Sequence, residues 1–165
     1  MYYTKTGRTG SAVSYLAREL RERGIDARVF LVKPARDYYP KLLHLNPRLV
    51  YETLTGKTVE ITGLEDFDPQ TCRALVVATP IWIGRLPPPI ATFVKRYAGK
   101  MRCPVYVVTT SMVEGGYAAK VGEMLKRAGY DVRKAVSLAG KRIIYDRLRV
   151  LLEDSALCSS AEAQG

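Results

Sequence analysis

Apolar residues fall into two kinds of pattern along this chain. In "SAVSYLARELRERG" (11–24), Val13, Leu16, Ala17 and Leu20 recur at helical spacing, and Gly24 supplies a stop. The same spacing predicts helices over "PPIATFVKRYAGK" (88–100), "YAAKVGEMLKRAGY" (117–130) and "KRIIYDRLRVLLEDSAL" (141–157), the last through Ile144, Leu148, Leu151 and Leu152. Between them lie short, unbroken apolar runs. "DARVFLVKP" (26–34), "RALVVATP" (73–80) and "CPVYVVTTS" (103–111) read as strands buried on both faces, with Val29, Phe30, Leu31 and Val32 consecutive in the first. "DVRKAVSLAG" (131–140) alternates instead, as a strand nearer an edge does. Over 35–66, Pro40 and Pro47 break a helical pattern, which predicts an interrupted helix over 38–54 and a loop down to the next strand. There are no internal repeats, and a single domain over 1–154 with a disordered tail over 155–165 is expected.

Strands alternating with helices imply βαβ units, a parallel sheet and helices on both faces. Ligands of such sheets sit beyond the carboxyl ends of the strands, so the loops that follow strands carry the chemistry. "TKTGRTG" follows the chain's opening Met-Tyr-Tyr, "TPIWIGRLPPP" ends the run at 73–80, and "TTSMVEGGY" ends the run at 103–111. All three loops should converge on one rim. In the first, Thr4, Thr6 and Thr9 offer hydroxyls, Gly7 and Gly10 relieve the backbone, and Lys5 and Arg8 add charge. Amides at a helix start then make an anion site, although a polar cap with turn glycines would look the same. In the second loop Trp82, bounded by Thr79, Pro80, Gly84 and Pro87, suits either a platform for a planar ligand or a packing role. The third offers Ser111, the Gly115–Gly116 pair and Tyr117.

Composition changes this picture in two places. A length of 165 residues supports one core, and no apolar run approaches the roughly 20 residues that cross a bilayer. Cys72, Cys103 and Cys158 form no CxxC pair and read as reduced structural thiols of a cytoplasmic protein, with Cys103 an inert core residue. The net charge of +10 calls for an anionic cofactor, an acidic partner or simply a basic surface. Nucleic acid is disfavoured, because Lys and Arg are dispersed without a like-charge block. "TLTGKT" (53–58) imitates the end of a phosphate-binding P-loop, but Tyr51 stands where its first glycine is required. His44 lacks metal-spaced partners, and Asp66 and Asp68 read as turn formers, so no metal ligand or catalytic side chain is expected.

Taken together, "YYTKTGRT", "ALVVATPIWIGRLPPPIATFVKRY" and "PVYVVTTSMVEGGY" resemble the flavodoxin-like family over nearly the whole chain to about residue 140. The resemblance implies an α/β fold of three layers, a doubly wound parallel five-stranded sheet in the order 2-1-3-4-5. It implies FMN as cofactor. Thr4, Lys5, Thr6, Gly7, Arg8 and Thr9 match the loop around the FMN phosphate. Thr79, Pro80, Ile81, Trp82, Ile83 and Gly84 match one isoalloxazine loop, and Ser111, Gly115, Gly116 and Tyr117 lie in the other. The Ile83–Gly84 peptide matches the one that can turn its carbonyl toward the flavin. The implied function is one- or two-electron transfer on the flavin, toward a redox partner protein or a small acceptor such as a quinone. A flavodoxin-fold binding or regulatory protein without cofactor is the alternative.

Two features depart from that family. Its electron shuttles are acidic, whereas this chain is basic and Arg85 directly follows the flavin loop. A nearby cation favours an anionic reduced flavin and so two-electron oxidoreductase behaviour. Second, the central first strand should span five or six residues, yet only Met1, Tyr2 and Tyr3 precede the phosphate loop. The expectation is a truncated first strand, with a start codon upstream of the stated one.

Overall fold

The structure is a computed structural model and describes residues 1–38, 46–140 and 145–158. Its centre is a parallel sheet of three strands, β3 (Leu75–Pro80), β4 (Val105–Ser111) and β5 (Val132–Ala139), in that order. Register runs from Leu75 opposite Val105 to Pro80 opposite Thr110, and β4 continues onto β5 with an irregularity at Val105/Tyr106. Alternate residues of β4 enter two separate cores. Val105 and Val107 pack with Ile90, Phe93 and Val94 of helix α3 (Pro88–Tyr97) and with Val121 and Leu125 of α4 (Tyr117–Arg127). Tyr106 and Val108 pack on the other face with Ala12, Leu16 and Leu20 of α1 (Arg8–Glu22). That double coverage is why the strands at 75–80 and 105–111 read as unbroken apolar runs.

The far face also holds the chain's end. One helix was expected over 141–157; residues 141–144 lie outside the described residues, and the remainder is broken into three pieces. A 3₁₀ turn (Tyr145–Leu148) leads into α5 (Arg149–Leu152) and then α6 (Ser155–Cys158). The break falls where Asp154 turns its carboxylate onto the Ala156 amide at 3.0 Å, a local bond that competes with helix continuation. Leu148, Leu151, Leu152 and Leu157 are all buried, the last of them in the helical turn at 155–158; 159–165 lie outside the described residues.

The opening residues are short but fully engaged. Tyr2 donates its amide to the Phe30 carbonyl (2.8 Å) and accepts from the Val32 amide (2.8 Å). On its other side Tyr3 donates to the Ala78 carbonyl (3.2 Å), and Ala78 donates back to the Met1 carbonyl (3.0 Å). Tyr2 thus forms isolated parallel bridges with both Leu31 and Ala78. The expectation for 26–34 needs correcting. Val29 is 42% exposed, and only Val32 of its apolar run is buried. A strand buried on both faces needs a neighbour along its length, and this one meets only three residues. Instead β1 (Lys33–Pro34) pairs antiparallel with β2 (Ile61–Thr62), a strand in the stretch expected to be loop. Below Met1 a cleft of about 570 Å³ opens between α1, residues 25–30 and residues 71–76.

The remaining expected elements keep their places with shorter ends. Of the interrupted helix over 38–54, residues 39–45 (with His44) lie outside the described residues. Helix α2 (Pro47–Thr55) begins on Asn46, whose side chain accepts from the Leu49 amide at 3.0 Å. It ends on Gly56 at φ 63°, so "TLTGKT" is a helix C-terminus rather than a phosphate cradle.

Candidate functional site

The loops after residues 1–3, β3 and β4 meet at the carboxyl end of the sheet. Thr9 is buried and shares a hydrogen bond of 2.8 Å with Thr110 at the end of β4. The Ile81 amide donates to the Thr110 carbonyl at 2.9 Å, bringing the second loop to the same strand end. A Cβ added at Gly84 would lie 4.0 Å from the Tyr117 ring, so the second and third loops touch. Arg8 fastens the assembly: its guanidinium donates to the Gly140 carbonyl, reaches the Ser111 carbonyl at 3.5 Å and contacts the Met112 sulfur at 2.7 Å.

In the first loop, Gly7 sits at φ 86° as the N-cap of α1 and offers no side-chain cap. No acidic residue occupies the first turn, so the leading amides keep their affinity for an anion. Thr4 is partly committed, since its hydroxyl oxygen accepts from the Gly7 amide at 3.0 Å. Lys5 is committed too, donating to Asp37 at 3.0 Å and to the Tyr38 carbonyl. Both cations of this loop are therefore held by protein groups. An anion here would rest on amides and hydroxyls, with Lys5 and Arg8 supplying field rather than contact. Helix α4 also begins on a glycine, Gly116 at φ 59°, but its Ala118 amide already donates to the Ser137 hydroxyl at 3.0 Å.

The second loop is a two-residue turn closed at both ends. Trp82 donates its amide to the Arg85 carbonyl (2.9 Å), and Arg85 returns the bond at 2.8 Å. Both central residues have positive φ, 50° at Ile83 and 71° at Gly84, the signature of a type I′ turn. Ile83 is the one non-glycine residue in that region among the described residues, and it is 51% exposed. Trp82 is buried, edge-on to Tyr3 at 5.3 Å and to Tyr38 at 6.5 Å between ring centroids. The apolar surface open on the rim belongs instead to Ile83, Met112 and Val113. Met112 and Val113 lie within the Ser111–Tyr117 stretch that the resemblance matches to the second flavin loop, two large apolar residues inside a Ser/Gly loop.

Behind Trp82 stands a polar support. Tyr38 donates its hydroxyl to Glu52 Oε2 at 2.7 Å, and Arg48 donates to Glu52 Oε1 at 2.8 Å. Burial pushes the Glu52 carboxyl up, but these two hydrogen bonds outweigh it and hold the pKa below the usual carboxylate range. Burial raises the Tyr3 phenol, whose oxygen has no hydrogen-bond partner among the described residues. Of the expected site residues, Thr79 turns inward, donating to the Pro80 carbonyl at 2.9 Å, and Ser111 closes its own loop onto the Val113 carbonyl at 2.8 Å.

No family model matches this sequence, and no curated protein does. Solved structures do match in shape. A flavoprotein in complex with FMN from Lactobacillus acidophilus NCFM superposes at TM-score 0.64 with 18% identity, covering 84% of this chain and 89% of its own. The fold is flavodoxin-like. A candidate flavoprotein from Bacteroides eggerthii DSM 20697 matches this flavodoxin-like chain at TM-score 0.67 and 21% identity, over 92% of each chain. Rubredoxin oxygen:oxidoreductase from Desulfovibrio gigas matches at TM-score 0.59 and 13% identity, over 94% of this chain but 34% of its own. The flavodoxin-like core is thus a module that also occurs inside a longer redox protein. Among the described residues no cluster of three metal-ligating side chains occurs, and no helix is long and apolar enough to cross a membrane.

Proposed function

We propose that this chain is an FMN-binding redox protein. The observation that carries the reading is the convergence of three loops around the N-terminus of α1, which has no side-chain cap, beside the exposed apolar trio Ile83, Met112 and Val113. An anion-accepting end beside a flat apolar end suits a planar ring system that bears a phosphate. The FMN in the Lactobacillus acidophilus flavoprotein supports that choice of ligand. Leading amides of α1, with the exposed Thr6 hydroxyl, would hold the phosphate, and the 79–84 and 111–117 loops would flank the ring. FMN supplies the electron chemistry, and no side-chain acid or base is required of the protein. The chain's own contribution is to fix the three loops through Arg8 and the Thr9–Thr110 bond.

In this reading the bridged segments at 1–3 and 30–32 take the places of the first and second strands in the order 2-1-3-4-5. The exposed Arg85 directly follows the 79–84 loop, and its charge would favour two-electron transfer to a small acceptor such as a quinone or to an acidic partner. The free thiols suit a reducing cytoplasm. Purification with visible flavin, or reconstitution in which FMN binds at least about tenfold more tightly than riboflavin, supports the proposal. A colourless protein that takes up neither overturns it and leaves a cofactor-free binding protein of the same fold.

A further inference from the structure

At the opposite end of the sheet, two cysteines that stand 31 residues apart in sequence meet. Cys72 precedes β3 and Cys103 precedes β4, and the pairing of Leu75 with Val105 brings the two strand entries side by side. The Cys103 thiol donates to the Cys72 sulfur at 3.2 Å. Their environments differ. Cys103 is buried, whereas Cys72 is half-buried and lines the 570 Å³ cleft beneath Met1. Cys72 also lies in the irregular stretch before β3, outside the strand ladder, and its thiol donates to the Ala74 carbonyl at 3.3 Å. The third thiol, Cys158, bonds the Leu152 carbonyl at 3.2 Å and has no sulfur neighbour.

We propose that Cys72 and Cys103 are a reversible thiol–disulfide site, in which Cys72 takes the first attack on a small-molecule disulfide of the glutathione type and Cys103 resolves it. The Cys72 thiolate displaces one thiolate from the small disulfide, forming a mixed disulfide. Cys103 then loses its proton and attacks the Cys72 sulfur, releasing the second small thiolate. Two protein thiols are oxidised, one disulfide is reduced to two thiols, and the Cys72–Cys103 bond forms. The assignment of roles follows from donor and acceptor. The bond from Cys103, with the nearby Met1 amine, draws the Cys72 pKa below that of a free thiol, while the same bond and burial push Cys103 up. The closed bond staples the cleft wall at 71–74 to the start of β4. Roughly 20 Å of strand separate it from the loop rim, so the site does not depend on flavin binding.

Incubation with oxidised glutathione followed by non-reducing peptide mapping tests this in the purified full chain. The expected product links Cys72 to Cys103 and leaves Cys158 reduced, with Cys72 reacting at least about tenfold faster than Cys158. C103S should accumulate a stable glutathione adduct on Cys72, and C72S should leave Cys103 unmodified. A wild-type protein that stops at the mixed disulfide, or that reacts first at Cys158 or Cys103, overturns the proposal. So does a wild-type chain unreactive under conditions that oxidise a free dithiol. The wild-type mapping decides even if a serine variant folds poorly.

Discussion

Ile83 occupies a backbone region that β-branched residues avoid, at a cost of order 1–3 kcal/mol, and with its side chain half in solvent it recovers little of that through burial. Ile83→Gly should therefore stabilise the free protein by roughly 1 kcal/mol, read as a higher urea midpoint. If the proposed flavin site is right, the same variant loses apolar contact with the ring and binds FMN more weakly. A midpoint that falls would show that Ile83 is not strained. Glu52 is a second residue whose environment sets a measurable. Its pKa is lowered in the folded state, so its contribution is complete above the unfolded value of 4.5 and is lost as pH falls through the folded value. Glu52→Gln should flatten the acid limb of a stability–pH curve measured by urea unfolding, while leaving Tyr38 one poorer acceptor at neutral pH.

Among elements, the three-residue opening segment has the strongest consequence. Its Met1 amine donates to the Val76 carbonyl at 2.9 Å, and burial lowers its pKa from 8.0 to about 6. Between those values the unfolded chain binds a proton that the folded chain does not, so stability rises with pH across that window. Two units correspond to roughly 2–3 kcal/mol, to be read from urea midpoints at pH 5.5 and 8.5. Acetylating the amine should remove the slope. An engineered extension of four or five apolar residues, joined ahead of Met1 and directed into the cleft, should also remove it and raise the midpoint at every pH. An extension without effect would mean that the cleft does not accept strand pairing.

The same element explains where sequence reasoning succeeded. Val105–Val108 and Leu75–Ala78 were legible because both faces of their strands are covered, and full burial leaves an unbroken apolar run. Val29–Val32 shows the same run without the coverage, since composition records what a residue prefers and not whether a neighbour arrives. The position of Trp82 was legible as a loop, but its burial against Tyr3 and Tyr38 depends on residues some 40 to 80 positions away. The rim glycines were legible as turns; the capture of Lys5 by Asp37 was not, because that contact crosses a helix and a strand.

For the whole molecule, ligand binding and stability are one measurement. If FMN binds at the rim, a concentration 100-fold above its dissociation constant should add about 2.7 kcal/mol to the folded state. Thermal unfolding should shift upward with FMN, less with riboflavin, and not with ATP. The net charge of +10 also belongs to this scale. If it steers an acidic redox partner, the association rate should fall steeply between low and physiological salt, while FMN affinity changes far less.

Strand β5 pairs with β4 on one side and with nothing described on the other. An open edge of this kind can recruit a strand from another copy, the first step toward aggregation. Here basic residues stand guard. Arg133 is exposed, Lys134 reaches the Val150 carbonyl at 2.9 Å, and Arg147 donates to the Ser137 carbonyl of the edge strand at 3.3 Å. Replacing the exposed Arg133 with threonine should leave the rim untouched yet raise light scattering on gentle heating. Such a rise would mean that part of the chain's positive charge serves neither cofactor nor partner, and keeps separate copies of the protein apart.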